Sequence, residues 1–179
     1  MLIDLPLHWI ILLDIAAWFI FHMVISLGCM KIPDAWYAKT ESFFQSFAWE
    51  ENGELWQRLF RIKAWKRKLP EGSSIIKSSY NKKHLQGTDK QTFEKFIIET
   101  KRAELTHWLL IPPAFVFFIW NPLWAGLVMV LYACVVNIPF ILIQRYNRPR
   151  LERVHYIRKK KACVKKTFSS HFWGTKRLF

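Results

Sequence analysis

The chain has 179 residues, 52% hydrophobic and 17% aromatic, with 27 Lys and Arg against 13 Asp and Glu for a formal charge of +14. A cationic excess of this size directs a protein to nucleic acid or to an anionic membrane surface. Residues 5–30 and 103–144 contain no Lys or Arg, whereas 15 fall in 31–102 and 12 in 145–177, so apolar runs of spanning length separate the cations and exclude a nucleic-acid-binding domain.

The first apolar run, residues 5–30, is long enough at about 1.5 Å per residue to cross a hydrocarbon core of roughly 30 Å. Cys29 follows Ser26-Leu27-Gly28, as at a lipoprotein cleavage site, but the cationic start of a secretory signal is missing and Asp14 interrupts the run, so the segment reads as a retained span. Asp14 and His22 flank Trp18 at i+4 steps. An ionisable group at such depth costs at least about 2.5 kcal/mol unless satisfied; Asn137 in a later span is the expected partner, acting as interhelical glue. Cys29, Cys134 and Cys163 form no C-x-x-C and have no His at ligand spacing, which argues against a disulfide framework or a metal site.

Residues 31–104 form the first basic block. Within 54–68, Leu55, Trp56, Leu59, Phe60 and Ile62 recur at helical spacing, with Arg58, Arg61, Lys63, Lys66, Arg67 and Lys68 at the other positions. That pattern predicts a basic amphipathic helix lying in the headgroup layer. Residues 69–74, with Pro70 and Gly72, predict a turn, and Thr88-Asp89-Lys90-Gln91 resembles a capping box that starts a further helix. The run 105–120 contains Pro112-Pro113, which must kink or break a helix. Asn121-Pro122 is the expected hairpin tip, and residues 123–143, with Asn137 and Pro139, make another span. The polybasic, aromatic stretch after residue 158, with Phe168, Phe172, Trp173 and Phe179, reads as adhesion to anionic lipid.

These segments predict an all-α integral membrane protein of one domain. It has about three transmembrane helices (5–30, 105–120 and 123–143, the second either crossing or re-entrant) and a basic interfacial helix on the cytoplasmic side. Residues 31–104 and the tail 144–179 lie inside and the N-terminus outside, since Lys and Arg collect on the cytoplasmic face.

Two strings at the span ends carry the candidate chemistry: Ile98-Glu-Thr-Lys-Arg-Ala-Glu-Leu-Thr-His-Trp108 and Gln144-Arg-Tyr-Asn-Arg-Pro-Arg-Leu151. The topology puts both at one membrane surface. Glu104 and His107, at i and i+3, share a helix face. The carboxylate can orient the imidazole so that its other nitrogen takes a proton from a hydroxyl; as ordinary interfacial residues, His107 and Trp108 would serve as anchors and Glu104 would pair with a lysine. Arg145, Arg148 and Arg150 close a helix before Pro149 and can form a fork for phosphate or carboxylate, with Asn147 and Tyr146 as neutral donors. The catalytic candidates are therefore His107 and Glu104. The substrate-binding candidates are Glu99, Lys101, Arg102, Asn137, Gln144, Arg145, Asn147, Arg148 and Arg150. No P-loop, dinucleotide fingerprint, G-x-S-x-G or H-E-x-x-H occurs.

These two strings resemble the glycosyl-4,4'-diaponeurosporenoate acyltransferase family, which completes staphyloxanthin biosynthesis in staphylococci. The likeness extends to Ile32-Pro33-Asp34, to Gly53, Trp56, Phe60 and Trp65-Lys66, and to Asn137 with Pro139, and covers roughly residues 28–153. The basic tail beyond Arg153 departs from the family pattern. The resemblance implies transfer of a fatty acyl group to a glucose hydroxyl of a glycosylated C30 carotenoid, or of a similar glycolipid, at the inner face of a bacterial cell membrane. It implies an acyl thioester as co-substrate, no cofactor, and membrane lipid and other carotenoid-pathway enzymes as partners. A non-catalytic protein that organises such enzymes is the alternative.

Overall fold

The computed structural model describes residues 6–66 and 90–174, with side chains as far as residue 160. The described residues are predominantly helical, with no strand among them. The turn expected at 69–74 and the start of the capping box at Thr88 lie outside the described residues, as do Phe179 and the side chains of Phe168, Phe172 and Trp173.

Helix α1 (Leu7–Lys31) is apolar on every face. It stops because Pro33 forces Ile32 into extended backbone at φ −66°, ψ 124°. Pro33 then precedes α2 (Asp34–Lys39), whose first residue places a carboxylate at the positive helix end. A short α3 (Glu41–Phe44) and a 3-10 segment (Ala48–Gly53) follow. Glu50 caps this segment, its carboxylate accepting the Phe47 N–H at 3.0 Å.

The helix expected over 54–68 is broken. It divides into α4 (Glu54–Phe60) and α5 (Ile62–Trp65) at Arg61, which takes φ +47°. The break turns Ile62 into the core against Leu142, Ile143 and Tyr146. The exposed backbone groups are satisfied locally: Trp65 Nε1 donates to the Phe60 carbonyl at 2.6 Å, and Lys63 N–H donates to Gln57 Oε1 at 3.0 Å.

Helix α6 (Lys90–Leu109) ends just before Pro112-Pro113, and the chain continues as a 3-10 segment (Pro112–Ile119). Residues 105–120 are therefore not one spanning helix, since neither proline can supply the N–H that an α-helix needs. Helix α7 (Leu123–Gly174) runs through Pro139 and Pro149 without stopping. It does not close before Pro149, as the sequence suggested.

Pro149 has no N–H for the Arg145 carbonyl one turn earlier, and the backbone of Gly53 comes against that same carbonyl. A Cβ at Gly53 would lie 2.9 Å from Arg145 O and 3.1 Å from Tyr146 Cα, and Gly53 has φ +87°. The 3-10 segment therefore docks on α7 main chain to main chain, at a place where the helix lacks one of its own bonds.

Two helices, α1 and the part of α7 from Leu123 to Lys160, are long and apolar enough to cross a membrane. Much of their large apolar surface faces outward, including Ile15, Phe19 and Val24 on α1 and Leu127, Leu131 and Val135 on α7. Between them Phe117 and Trp120 pack with Ala17, Trp18, Phe21 and Met129. Asp14 accepts hydrogen bonds from Trp120 Nε1 at 2.7 Å and Asn121 Nδ2 at 2.8 Å. Its partner is thus the hairpin tip; Asn137 is engaged elsewhere, lower in the bundle.

Gly53→Ala should destabilise the fold by about 2 kcal/mol, because it adds both left-handed strain and a clash with α7 main chain. A lowered melting temperature of the detergent-solubilised protein, with unchanged helix content at low temperature, is the expected result.

Candidate functional site

Helices α6 and α7 lie antiparallel, so residues ascending one face those descending the other. Three polar layers result. In the middle layer Glu104, which is 0% exposed, receives Arg145 Nη1 at 2.8 Å and a second, very close bond from Arg148 Nη1. Arg145 also binds Glu50 through Nε at 2.6 Å and Nη2 at 2.9 Å. Two further guanidinium bonds reach main-chain carbonyls: Arg145 Nη2 the Gln45 carbonyl at 3.4 Å, and Arg148 Nη2 that of Phe44. Phe47 and Phe44 lie against the faces of the two guanidiniums, 5.3 and 5.6 Å from the ring centres.

The middle layer joins the two strings but changes the expected roles. Glu104 does not orient His107, because two guanidiniums take both its oxygens. Arg145 and Arg148 do not present a fork to a ligand, because protein carboxylates and carbonyls already fill it. Arg150 is engaged too, by Glu54 at 2.6 Å and the Tyr146 carbonyl at 2.6 Å, and lies over the Tyr146 ring. Asn147 accepts from Lys66 Nζ at 3.1 Å. Gln144 is half-buried beside this layer. Glu50 was missed in the sequence because its partner is 95 residues away.

Towards the apolar end, His107 Nδ1 meets Asn137 Oδ1 at 2.9 Å. Asn137 Nδ2 donates to the Ala133 carbonyl at 2.8 Å. The amide orientation is therefore determined: its oxygen faces the imidazole, so Nδ1 must be the donor and Nε2 keeps its lone pair. Phe140 stacks on the ring at 4.7 Å with the planes 8° apart. Asn137 lies two turns, about 12 Å, from Arg145 along α7, which puts His107 on the side of the charged layer towards the apolar part of α7.

On the opposite side of the charged layer, Arg102 binds Asp34 and Glu99, each at 2.5 Å, and lies over the Tyr37 ring. Lys95 adds a 3.2 Å bond to Asp34. Lys101 Nζ donates to the Tyr37 carbonyl at 2.9 Å. Lys101 and Arg102 thus tie α6 to α2, and Glu99 holds Arg102 from within α6. Burial raises the Asp34 carboxyl, but bonds from Arg102 and Lys95 outweigh it and hold the group below its usual value.

A profile of the glycosyl-4,4'-diaponeurosporenoate acyltransferase family matches residues 40–156, an interval that contains the whole charged layer and the His107–Asn137 pair. The chain belongs to this family. Membership makes it an acyltransferase. Among its relatives, the Staphylococcus aureus (strain Newman) enzyme of that name is 37% identical over 144 residues, covering 80% of this chain and 87% of the relative. The enzymes of strains bovine RF122 / ET3-1 and USA300 are each 36% identical over the same shares. No solved structure matches the chain.

Glu104→Gln should destabilise the protein by about 3–5 kcal/mol, because two guanidiniums stay buried with half their compensating charge removed; denaturant titration in micelles reads this directly. The Asp34 cluster predicts a milder, pH-dependent effect. A depressed folded value stabilises above the unfolded carboxyl pKa of about 3.9 and loses that contribution as pH falls through the folded value. Asp34→Asn should therefore flatten the decline in melting temperature below pH of about 4.

Proposed function

We propose that the protein transfers a fatty acyl group from a thioester donor to a sugar hydroxyl of a glycosylated carotenoid or similar glycolipid, at the cytoplasmic face of a bacterial membrane. Family membership supports the reaction class and the acceptor. The observation that carries the assignment of the base is the fixed amide of Asn137, which holds the His107 imidazole as the tautomer with its lone pair on Nε2. That is the form a general base requires.

In this reading Nε2 takes the proton of the sugar hydroxyl as its oxygen bonds to the acyl carbonyl carbon. The tetrahedral intermediate then collapses, the carbon–sulfur bond breaks, and the imidazolium returns the proton to the departing thiolate. Asn137 positions the base, a role first assigned to Glu104. Glu104 instead sets the spacing of α6 and α7 on which the His107–Asn137 contact depends. No cofactor is needed for these steps.

The proposed topology has the N-terminus outside and residues 31–104 and 145–179 inside, with the chain between Leu110 and Asn121 making a second, irregular passage to the outer side. The distribution of Lys and Arg supports it. Segments α4 and α5 pack on α7 at Leu142, Ile143 and Tyr146, the level where its apolar half meets its charged half. Leu59 and Phe60 face outward there, near Phe47 and Trp49, and Arg58, Arg61 and Lys63 supply cations. We read this surface as lying in the headgroup layer, with membrane lipid as its partner; other carotenoid-pathway enzymes are candidate neighbours.

Purified protein in nanodiscs, given acyl-coenzyme A and the glycosylated carotenoid, should form an acylated product identified by its added mass. His107→Ala should lower kcat by about 10²–10⁴-fold without unfolding. Asn137→Ala should lower kcat with little change in either KM. Undiminished product from His107→Ala would remove His107 from the mechanism, and a protein that only organises other enzymes would form no product at all.

A further inference from the structure

Beyond the charged layer, on the side away from His107, a cleft of about 890 Å³ opens between α6, α7 and the segment that runs from α2 to the 3-10 turn. Its volume is that of a small-molecule site. One wall is uncharged and polar, formed by Ser42, Gln45, Ser46 and Asn52; the opposite wall includes Ile97 and Ile98 of α6, with Phe44 between. Asn52 belongs to a run of consecutive left-handed residues, Glu51 at φ +50°, Asn52 at +56° and Gly53 at +87°. Backbone held this way at a residue other than glycine costs on the order of 1–3 kcal/mol and concentrates at ligand sites. Here it aims one end of the polar wall at the cleft.

Charge and depth narrow the ligand. Among the charged lining groups Lys101 and Arg153 balance Glu94 and Glu152, and Glu94 pairs with His155 at 3.6 Å. In a chain of charge +14 this balanced cleft suits an uncharged ligand segment rich in amide or hydroxyl groups. The lining of α7 is Pro149 to Tyr156, beyond Arg145 and therefore on the water side of the charged layer. A sugar esterified to a membrane-embedded polyene is tethered to the apolar layer, whereas the carrier of an acyl donor arrives from water. The deepest α6 residue of the cleft, Lys101, is six residues before His107, about 9 Å along the helix. A hexose seated in the cleft would hold its hydroxyls short of the imidazole, but the thioester end of an extended pantetheine arm reaches beyond the groups that bind its amides.

We infer that this cleft binds the pantetheine arm of the acyl donor, its amides on the Gln45–Asn52 wall, its dimethyl group against Ile97 and Ile98, and its phosphate at the rim by Arg153. The assignment rests on the acyl-transfer reading above, but its first test needs no turnover. Ligand-observed NMR with the full chain in nanodiscs would titrate pantetheine, coenzyme A and methyl β-D-glucopyranoside. Pantetheine and coenzyme A should bind saturably, and equally well to His107→Ala, while the glucoside should not bind. The double variant Gln45→Ala, Asn52→Gly removes two amides while leaving a residue suited to the left-handed turn, and should weaken pantetheine at least tenfold. Ser46→Trp, which fills the cleft from its wall, should abolish binding with an unchanged melting temperature. In turnover, the double variant should raise the KM for acyl-coenzyme A and leave the KM for the glycolipid unchanged. Saturable binding of the glucoside, pantetheine affinity unaltered in both variants, or a rise in glycolipid KM instead would overturn the proposal. Loss of activity in His107→Ala bears only on the base.

Discussion

Glu104 is the residue on which the geometry of the molecule turns. A buried carboxylate is costly without a cation, and the always-charged guanidiniums of Arg145 and Arg148 that meet it are costly to bury without an anion. Each therefore fixes the others. Glu50 completes the set by holding the other edge of Arg145. Because these groups come from α6, α7 and the 3-10 segment, pairing them sets the register of all three. The carbonyls of Phe44 and Gln45 each take a further guanidinium bond, which draws in the chain between α2 and α4 as well.

That register explains what lies on either side. One layer towards the apolar part of α7, the α6–α7 spacing brings His107 within hydrogen-bond distance of Asn137, and a shift of one turn in either helix would separate them. One layer the other way, the same helices line a polar cleft whose far wall includes the strained turn ending at Gly53. The close approach of Gly53 to the Arg145 carbonyl links cleft and charged layer, since the carbonyl that Pro149 cannot bond is the one on which the turn rests. Base, ion-pair layer and cleft are thus consecutive levels of one helix pair.

The sequence made the long apolar helices legible because length and composition are read directly from it. The apolar runs at 5–30 and 123–143 correspond to α1 and the first part of α7, and the paired prolines did interrupt the stretch between. Breaks inside the basic block were not legible. Arg61 leaves the helix because Ile62 finds a buried place against α7, and no local preference of arginine predicts that. Pro149 looked like a helix end for the opposite reason: the packing that supports an uninterrupted helix there comes from Gly53, far off in the chain.

For the site, the sequence alone pointed to the two strings, because each lies where an apolar run gives way to a cationic block. Family likeness then determined the class of reaction. Only the tertiary structure decided how those residues are paired. Local spacing offered Glu104 to His107, one turn away, but a buried carboxylate gains more from two guanidiniums than from one neutral imidazole, and the imidazole passed to an amide 30 residues on. Pairing of buried charges depends on which partners share the same dry space, and spacing along a chain cannot specify that.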